Sequence, residues 1–137
     1  MMNIEQAIEL AIDTLKYSYA PYSKFQVAAV LVTEEGKAYT GVNVENAAYP
    51  ATNCAERTAF FKAVSEGEKN FAYIVIVGGI DGVLSQHCAP CGICRQVMRE
   101  FGNPESFRII LAKTPTDYKE FVLKEILPLG FGPEDLV

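Results

Sequence analysis

Cys91 and Cys94 stand three residues apart in Ala89-Pro90-Cys91-Gly92-Ile93-Cys94-Arg95-Gln96-Val97. Proline suits the first turn of a helix, and positions i and i+3 of a helix starting there put both sulfurs on one face. The free backbone N–H groups and the positive end of the helix dipole favour thiolate, the form that binds metal and attacks disulfides. On spacing alone, a redox pair and half of a metal site fit equally well. Cys54 also stands where a loop gives way to a helical pattern, in Asn53-Cys54-Ala55-Glu56-Arg57. Three thiols with a fourth position left to water is the arrangement of a catalytic zinc, whereas structural zinc is usually closed by four protein ligands. Such an open site needs a proton carrier. Glu56, two residues after Cys54, could reach that water. Its competing reading is a capping box in which Asn53 caps the helix and Glu56 returns to the Asn53 N–H.

Other residues near these motifs carry less. Cys88 extends the pair to C-x-x-C-x-x-C, but the Cys-Pro that completes an iron–sulfur run is missing, so it reads as a thiol that is not a ligand. His87, the only histidine, reads as a loop residue. Asn43 and Glu45 alternate along the end of a strand pattern, so their side chains share a face and could bind a diol through donor and acceptor contacts.

The elements that must position these groups follow from apolar spacing. Ile4, Ala7, Ile8, Ala11, Ile12 and Leu15 predict an amphipathic helix from Asn3 to about Ser18. After Pro21, two β-branched-rich runs, Phe25 to Thr33 and Lys37 to Val44, joined by Glu34-Glu35-Gly36, predict a hairpin. A second helix is expected from about Cys54 to Ser65, a strand over Phe71 to Val77, and a glycine-rich loop leading to Pro90. A third helix over about Cys91 to Phe101, a strand over Phe107 to Ala112 and a short helix around Phe121 to Leu127 complete the chain. This order is that of an α/β protein with a central sheet between helices, and 137 residues suit a single domain over 1–137.

Composition excludes several classes of partner. A net charge of -5 is the wrong sign for a surface that neutralises many phosphates, so long nucleic acids are poor candidates. The longest apolar run, Phe71 to Ile80, is well short of the ~20 residues of a membrane span, and the start of the chain shows no basic-then-apolar signal pattern. A cytoplasmic protein is expected. Clustered cysteines there point to metal or catalysis rather than to disulfides.

Taken together, Cys54-Ala55-Glu56 and Pro90-Cys91-Gly92-Ile93-Cys94 match the pattern of zinc deaminases, a ligand, one residue, Glu, and later P-C-x-x-C, with cysteine in place of histidine. Over nearly its whole length the chain resembles the small, homotetrameric cytidine deaminases of pyrimidine salvage. The resemblance runs through Tyr19 to Phe25, Gly41 to Ala47, Cys54 to Ala59, Pro90 to Val97 and Phe131 to Leu136. It implies a three-layer α/β/α fold with a central mixed sheet of about five strands, and one Zn²⁺ per chain on Cys54, Cys91 and Cys94. It further implies Glu56 as proton shuttle and Arg57 hydrogen-bonded to ligand sulfurs, offsetting the net negative charge of a tris-thiolate zinc. Asn43 and Glu45 would hold the ribose hydroxyls, Phe25 would pack near the pyrimidine, and the Ala55 backbone would meet the base edge. Tyr49 and Phe131 would lie close to a neighbouring subunit's active site. The implied reaction is hydrolytic deamination of cytidine and deoxycytidine to uridine and deoxyuridine with release of ammonia. Ala28, Val42, Ala89 and Ile93 depart from the family pattern; none is a proposed ligand, but Ala89 and Ile93 could reshape the base pocket. The readings that stay open are a deaminase of an aminonucleoside antibiotic such as blasticidin S, a non-catalytic protein with a closed four-cysteine zinc site including Cys88, and an iron–sulfur or dithiol redox protein.

Overall fold

In the computed structural model, which describes residues 2–137, helix α1 spans Ile4–Thr14. It begins at a capping box in which Asn3 Oδ1 accepts from the Gln6 N–H at 2.8 Å and Gln6 Oε1 accepts from the Asn3 N–H at 3.0 Å. The α-helix is shorter than its apolar pattern predicts, because Leu15–Tyr17 tighten into a 3-10 turn before Ser18 becomes extended.

Two long apolar runs form the middle of the sheet. Strand β1 (Phe25–Thr33) pairs antiparallel with β2 (Ala38–Val42) on one side and with β3 (Phe71–Ile80) on the other. Ala28, Val30, Val32, Tyr73, Val75 and Val77 pack toward α1, while Ala29, Leu31, Ile74 and Ile76 pack with α2 (Ala55–Ser65) and α3 (Gly92–Phe101). Burial on both faces explains why these strands read as continuous apolar runs rather than alternating ones. Beyond β3 lie β4 (Arg108–Thr114), parallel to it, and β5 (Asp117–Val122), antiparallel to β4, giving the order β2-β1-β3-β4-β5. The result is the expected three-layer α/β/α fold around a mixed five-stranded sheet. Among the described residues no helix is long and apolar enough to cross a membrane.

Other boundaries also differ from the sequence reading. Strand β3 continues through Gly78 and Gly79 to Ile80, because β1 offers Val27, Gln26 and Phe25 as partners to residues that otherwise signal a loop. The second strand ends at Val42 instead of Val44; Val44 makes only single bridges, to Tyr19 and Asn53. The predicted tail helix shrinks to α4 (Leu123–Ile126), and the residues before it form β5, paired with β4 from Asp117 to Val122.

Two contacts fix how α2 lies against α3 and the sheet. Phe60 of α2 stacks on Phe101 of α3 at 6.0 Å between ring centroids and also packs against Phe71 and Phe107. At Gly41 of β2 the α2 backbone lies directly on the sheet. A Cβ there would stand 2.5 Å from the Ala59 nitrogen and also strike the Ala55 carbonyl oxygen. Gly41→Ala should therefore push α2 outward and destabilise the protein by ~1–3 kcal/mol, the usual range for overpacking. A lowered midpoint in urea unfolding checks this.

Candidate active site

Cys54 is the N-cap of α2 and Cys91 the N-cap of α3, so two helix N-termini point into one space. Cys91 Sγ accepts from the Cys94 N–H at 3.4 Å, which folds the first turn of α3 back onto its own cap. The sulfurs of Cys54, Cys91 and Cys94 lie within 4.8 Å of one another and are the group positioned to bind a metal ion among the described residues. Tetrahedral Zn–S bonds of ~2.3 Å put neighbouring sulfurs about 3.8 Å apart. Cys54 and Cys91 stand at 3.8 Å already.

The charge state of the thiols suits the same use. The Cys54 thiol is brought down to about 5, chiefly by a hydrogen bond from the Cys94 thiol and then by the Arg57 guanidinium, against the effect of burial. Cys94 is pushed up because its proton is held in that bond and because it is buried. A divalent cation takes the place of such a shared proton. Arg57 Nη2 donates to Cys54 Sγ at 3.2 Å, which puts a positive charge against the sulfurs as expected. Its Nε is buried with no hydrogen-bond partner among the described residues, so Arg57 is held there at some cost.

Glu56 is 4 % exposed, and burial raises its carboxyl to about 7, with the nearby Cys54 thiolate adding to the rise. The capping box proposed for this residue does not form. Cys54, not Asn53, caps α2, and the Asn53 amide instead donates to Thr58 Oγ1 at 2.9 Å. Glu56 is thus left facing a cavity of about 290 Å³ whose lining also includes Phe25, Asn43, Glu45, Ala55, Cys54 and Cys91. A carboxyl that titrates near neutrality beside a metal cluster can both take and give a proton.

Asn43 and Glu45 lie beyond the end of β2 and both line this cavity. Both are held by the protein before any ligand arrives. Asn43 Oδ1 accepts from the Val27 N–H at 3.0 Å and from Ser18 Oγ, and its Nδ2 donates to the Phe25 carbonyl at 2.8 Å. Glu45 accepts from the N–H groups of Tyr22 and Ser23 at 3.0 and 3.1 Å and from Ser23 Oγ, which together hold its carboxyl below the usual range. One Asn43 amide hydrogen and a lone pair of the Glu45 carboxylate stay free for a ligand.

Two expected residues lie away from this cavity. Tyr49 is 74 % exposed, edge-on to Tyr22 at 6.5 Å, and lines a neighbouring groove with Ser23, Glu45 and Thr52. Phe131 is 56 % exposed in the tail, where its carbonyl accepts from Gln96 Nε2 at 2.8 Å. Ile93 is 62 % exposed and does not line the cavity, so of the two departures beside the ligands only Ala89 can shape it. His87 contacts Asp117 at 3.1 Å and, like Cys88, is outside the sulfur cluster. Ser23, Val27 and Thr52 line the cavity without being singled out by the sequence; Ser23 lies inside a quoted motif, whereas Val27 and Thr52 carry no local signal. Arg95, like Ser23, lies inside a quoted motif without being given a role by it. Its Nε donates to the Pro90 carbonyl at 2.9 Å and its Nη1 to the Ile126 carbonyl at 2.7 Å, which fixes the turn that presents Cys91.

Comparison with known proteins agrees with this geometry. The family model described as cytidine and deoxycytidylate deaminase zinc-binding region matches residues 1–109. The chain is 44 % identical over 135 residues to a cytidine deaminase of Sporosarcina psychrophila, covering 98 % of this chain and 96 % of the relative. It is 41 % identical to one from Halalkalibacterium halodurans, covering 98 % of each. A crystal structure of cytidine deaminase from Burkholderia pseudomallei superposes with a TM-score of 0.86 at 42 % identity, covering 95 % of this chain and 100 % of that one. If the sulfur cluster is the metal site, Cys91→Ser should lose most bound zinc, while Cys88→Ser keeps one zinc per chain. Metal analysis of the purified variants checks both.

Proposed function

The chain belongs to the cytidine and deoxycytidylate deaminase family, and from that premise we propose that it hydrolyses cytidine and deoxycytidine to uridine and deoxyuridine with release of ammonia. The observation that carries this reading is one cavity in which a three-thiol metal cluster, a buried carboxyl near neutral pKa and a fixed asparagine–glutamate pair face the same space.

Cys54, Cys91 and Cys94 would hold the zinc. When bound, it supplies Lewis acidity that makes water nucleophilic near neutral pH. Glu56 would accept a proton from the attacking water and deliver it to N3 of the pyrimidine as the oxygen adds to C4. It would then move the proton of the new C4 hydroxyl to the amine, which leaves as ammonia as the C4–N bond breaks. Asn43 and Glu45 hold the sugar hydroxyls as donor and acceptor, so the base is presented to Glu56 in one orientation. Phe25 packs against the pyrimidine, and the Ala55 backbone, at the start of α2, meets the polar edge of the base. Arg57 holds Cys54 in its thiolate form and offsets the negative charge of the sulfur cluster.

The cavity lining contains Glu45 and Glu56 and neither lysine nor arginine. A phosphate at the sugar end would therefore meet a carboxylate, which favours free nucleosides over nucleotides. A role in pyrimidine salvage follows from that substrate class. The family pattern supports a single catalytic domain over residues 1–137 working in the cytoplasm as a homotetramer. In that assembly the exposed Tyr49 and Phe131 would contribute to a neighbouring subunit's pocket, and their position away from this chain's own cavity supports that arrangement.

Glu56→Gln removes the proton carrier without removing a ligand. Its zinc content should stay at one per chain while cytidine turnover falls by at least ~100-fold, the lower range for loss of a general acid–base group. Turnover close to that of the unaltered protein would rule out this role for Glu56.

A further inference from the structure

A second cavity, of about 460 Å³, abuts the one that holds Glu56. Both are lined by Phe25 and Cys88, and by no other residue in common, so these two side chains form the partition between them. The far side is lined by Gly78, Gly79, Asp81, Ser85 and Gln86 among others, where β3 runs out into the loop before α3. Cys88 has little freedom within this wall. A Cβ on Gly78 would stand 3.0 Å from Cys88 Sγ and equally close to a Val27 methyl, so the sulfur is seated against the sheet where only glycine leaves space for it. A bulkier side chain at 88 must grow toward the cavities.

The orientation of the pyrimidine decides which of its edges meets this wall, and here the inference rests on the nucleoside reading above. Sugar hydroxyls occupy Asn43 and Glu45, C4 faces the sulfur cluster, and N3 faces Glu56. What remains of the base is its two faces and the apolar C5–H and C6–H edge. Apart from Ser23 and Thr52, which line the adjoining groove together with Glu45, the lining left for them is also apolar, namely Phe25, Val27, Cys88 and Ala89. We propose that Cys88 is a specificity-determining residue, the part of the wall that limits the size of the substituent a cytosine nucleoside can carry at C5. The second cavity is the space into which a longer C5 group would extend once that wall is cut back.

The experiment compares kcat/KM for cytidine, 5-methylcytidine and 5-propynylcytidine in the zinc-loaded, unaltered protein and in Cys88→Ala and Cys88→Leu. Discrimination at one methyl-sized contact runs from ~10- to ~200-fold. Cys88→Ala should raise the 5-propynylcytidine-to-cytidine ratio at least ~10-fold, and Cys88→Leu should lower the 5-methylcytidine-to-cytidine ratio by a similar factor. Each variant is read as a ratio, so a general loss of activity does not mimic the effect, and if Cys88→Leu does not fold, Cys88→Ala decides alone. A 5-propynyl ratio in Cys88→Ala within about twofold of the unaltered protein overturns the proposal while leaving the nucleoside reading intact. Failure of the unaltered, zinc-loaded protein to convert cytidine overturns both.

Discussion

Three sulfurs lie within 4.8 Å of one another, and binding a metal ion through all three as thiolates requires their mutual repulsion to be offset by the surrounding structure. The N-termini of α2 and α3 both end on the cluster, each offering unpaired N–H groups and the positive end of a helix dipole. The Arg57 guanidinium adds a full charge against Cys54. A dication completes the balance, leaving three thiolates and zinc at net -1 beside one arginine. The meeting of two helix starts is thus the constraint on which the site depends. Moving either helix by an ångström or two would separate the ligands.

The rest of the fold can be understood as what holds those two starts in register. α2 lies on β2 at Gly41, so closely that no side chain fits between them. α2 and α3 are joined through Phe60 and Phe101. Arg95 ties the turn before α3 to the end of α4. Also lining the cavity, Asn43 fastens the segment after β2 to the start of β1, and Glu45 gathers the Tyr22–Ser23 turn. Asn43 and Glu45 are therefore preorganised by hydrogen bonds the protein makes with itself, which would reduce the cost of ordering them on binding a ligand. Burial of Glu56 follows from the same packing, since it lies in the first turn of a helix pressed onto the sheet.

How much of this was legible in the sequence depended on whether the signal was local. The three cysteines and Glu56 lie in two short segments with fixed spacing, and the helix starts are marked by Pro90 and by the change of pattern at Cys54. Cys91 and Cys94 alone suit a redox pair equally well, and their conjunction with Cys54-Ala55-Glu56 points to a metal site. The three inner strands, β1, β3 and β4, carry apolar runs that survive without context. Strand β5 could not be read this way. Asp117-Tyr118-Lys119-Glu120 is exposed at the sheet edge, lacks a buried face, and becomes a strand because β4 offers hydrogen-bond partners. The capping box at Asn53 and Glu56 was consistent with local rules and was overridden, because Thr58 binds the asparagine amide and the glutamate is buried at the site. The structural share of Asn43 was also invisible, since Ser18, Phe25 and Val27 are brought to it only by the fold. Tyr49 and Phe131, expected from the family resemblance alone, lie exposed and outside the cavity lining.

The central claim is that three thiolates at two helix starts hold one zinc and that this zinc makes the cavity a cytidine deaminase. The most direct measurement strips the protein with a chelator, restores zinc in steps, and follows cytidine loss together with uridine and ammonia. The account predicts no turnover in the stripped protein and recovery that saturates at one zinc per chain, with uridine and ammonia formed in equal amounts. Undiminished cytidine turnover in the stripped protein, or full zinc loading with no uridine formed, would contradict it.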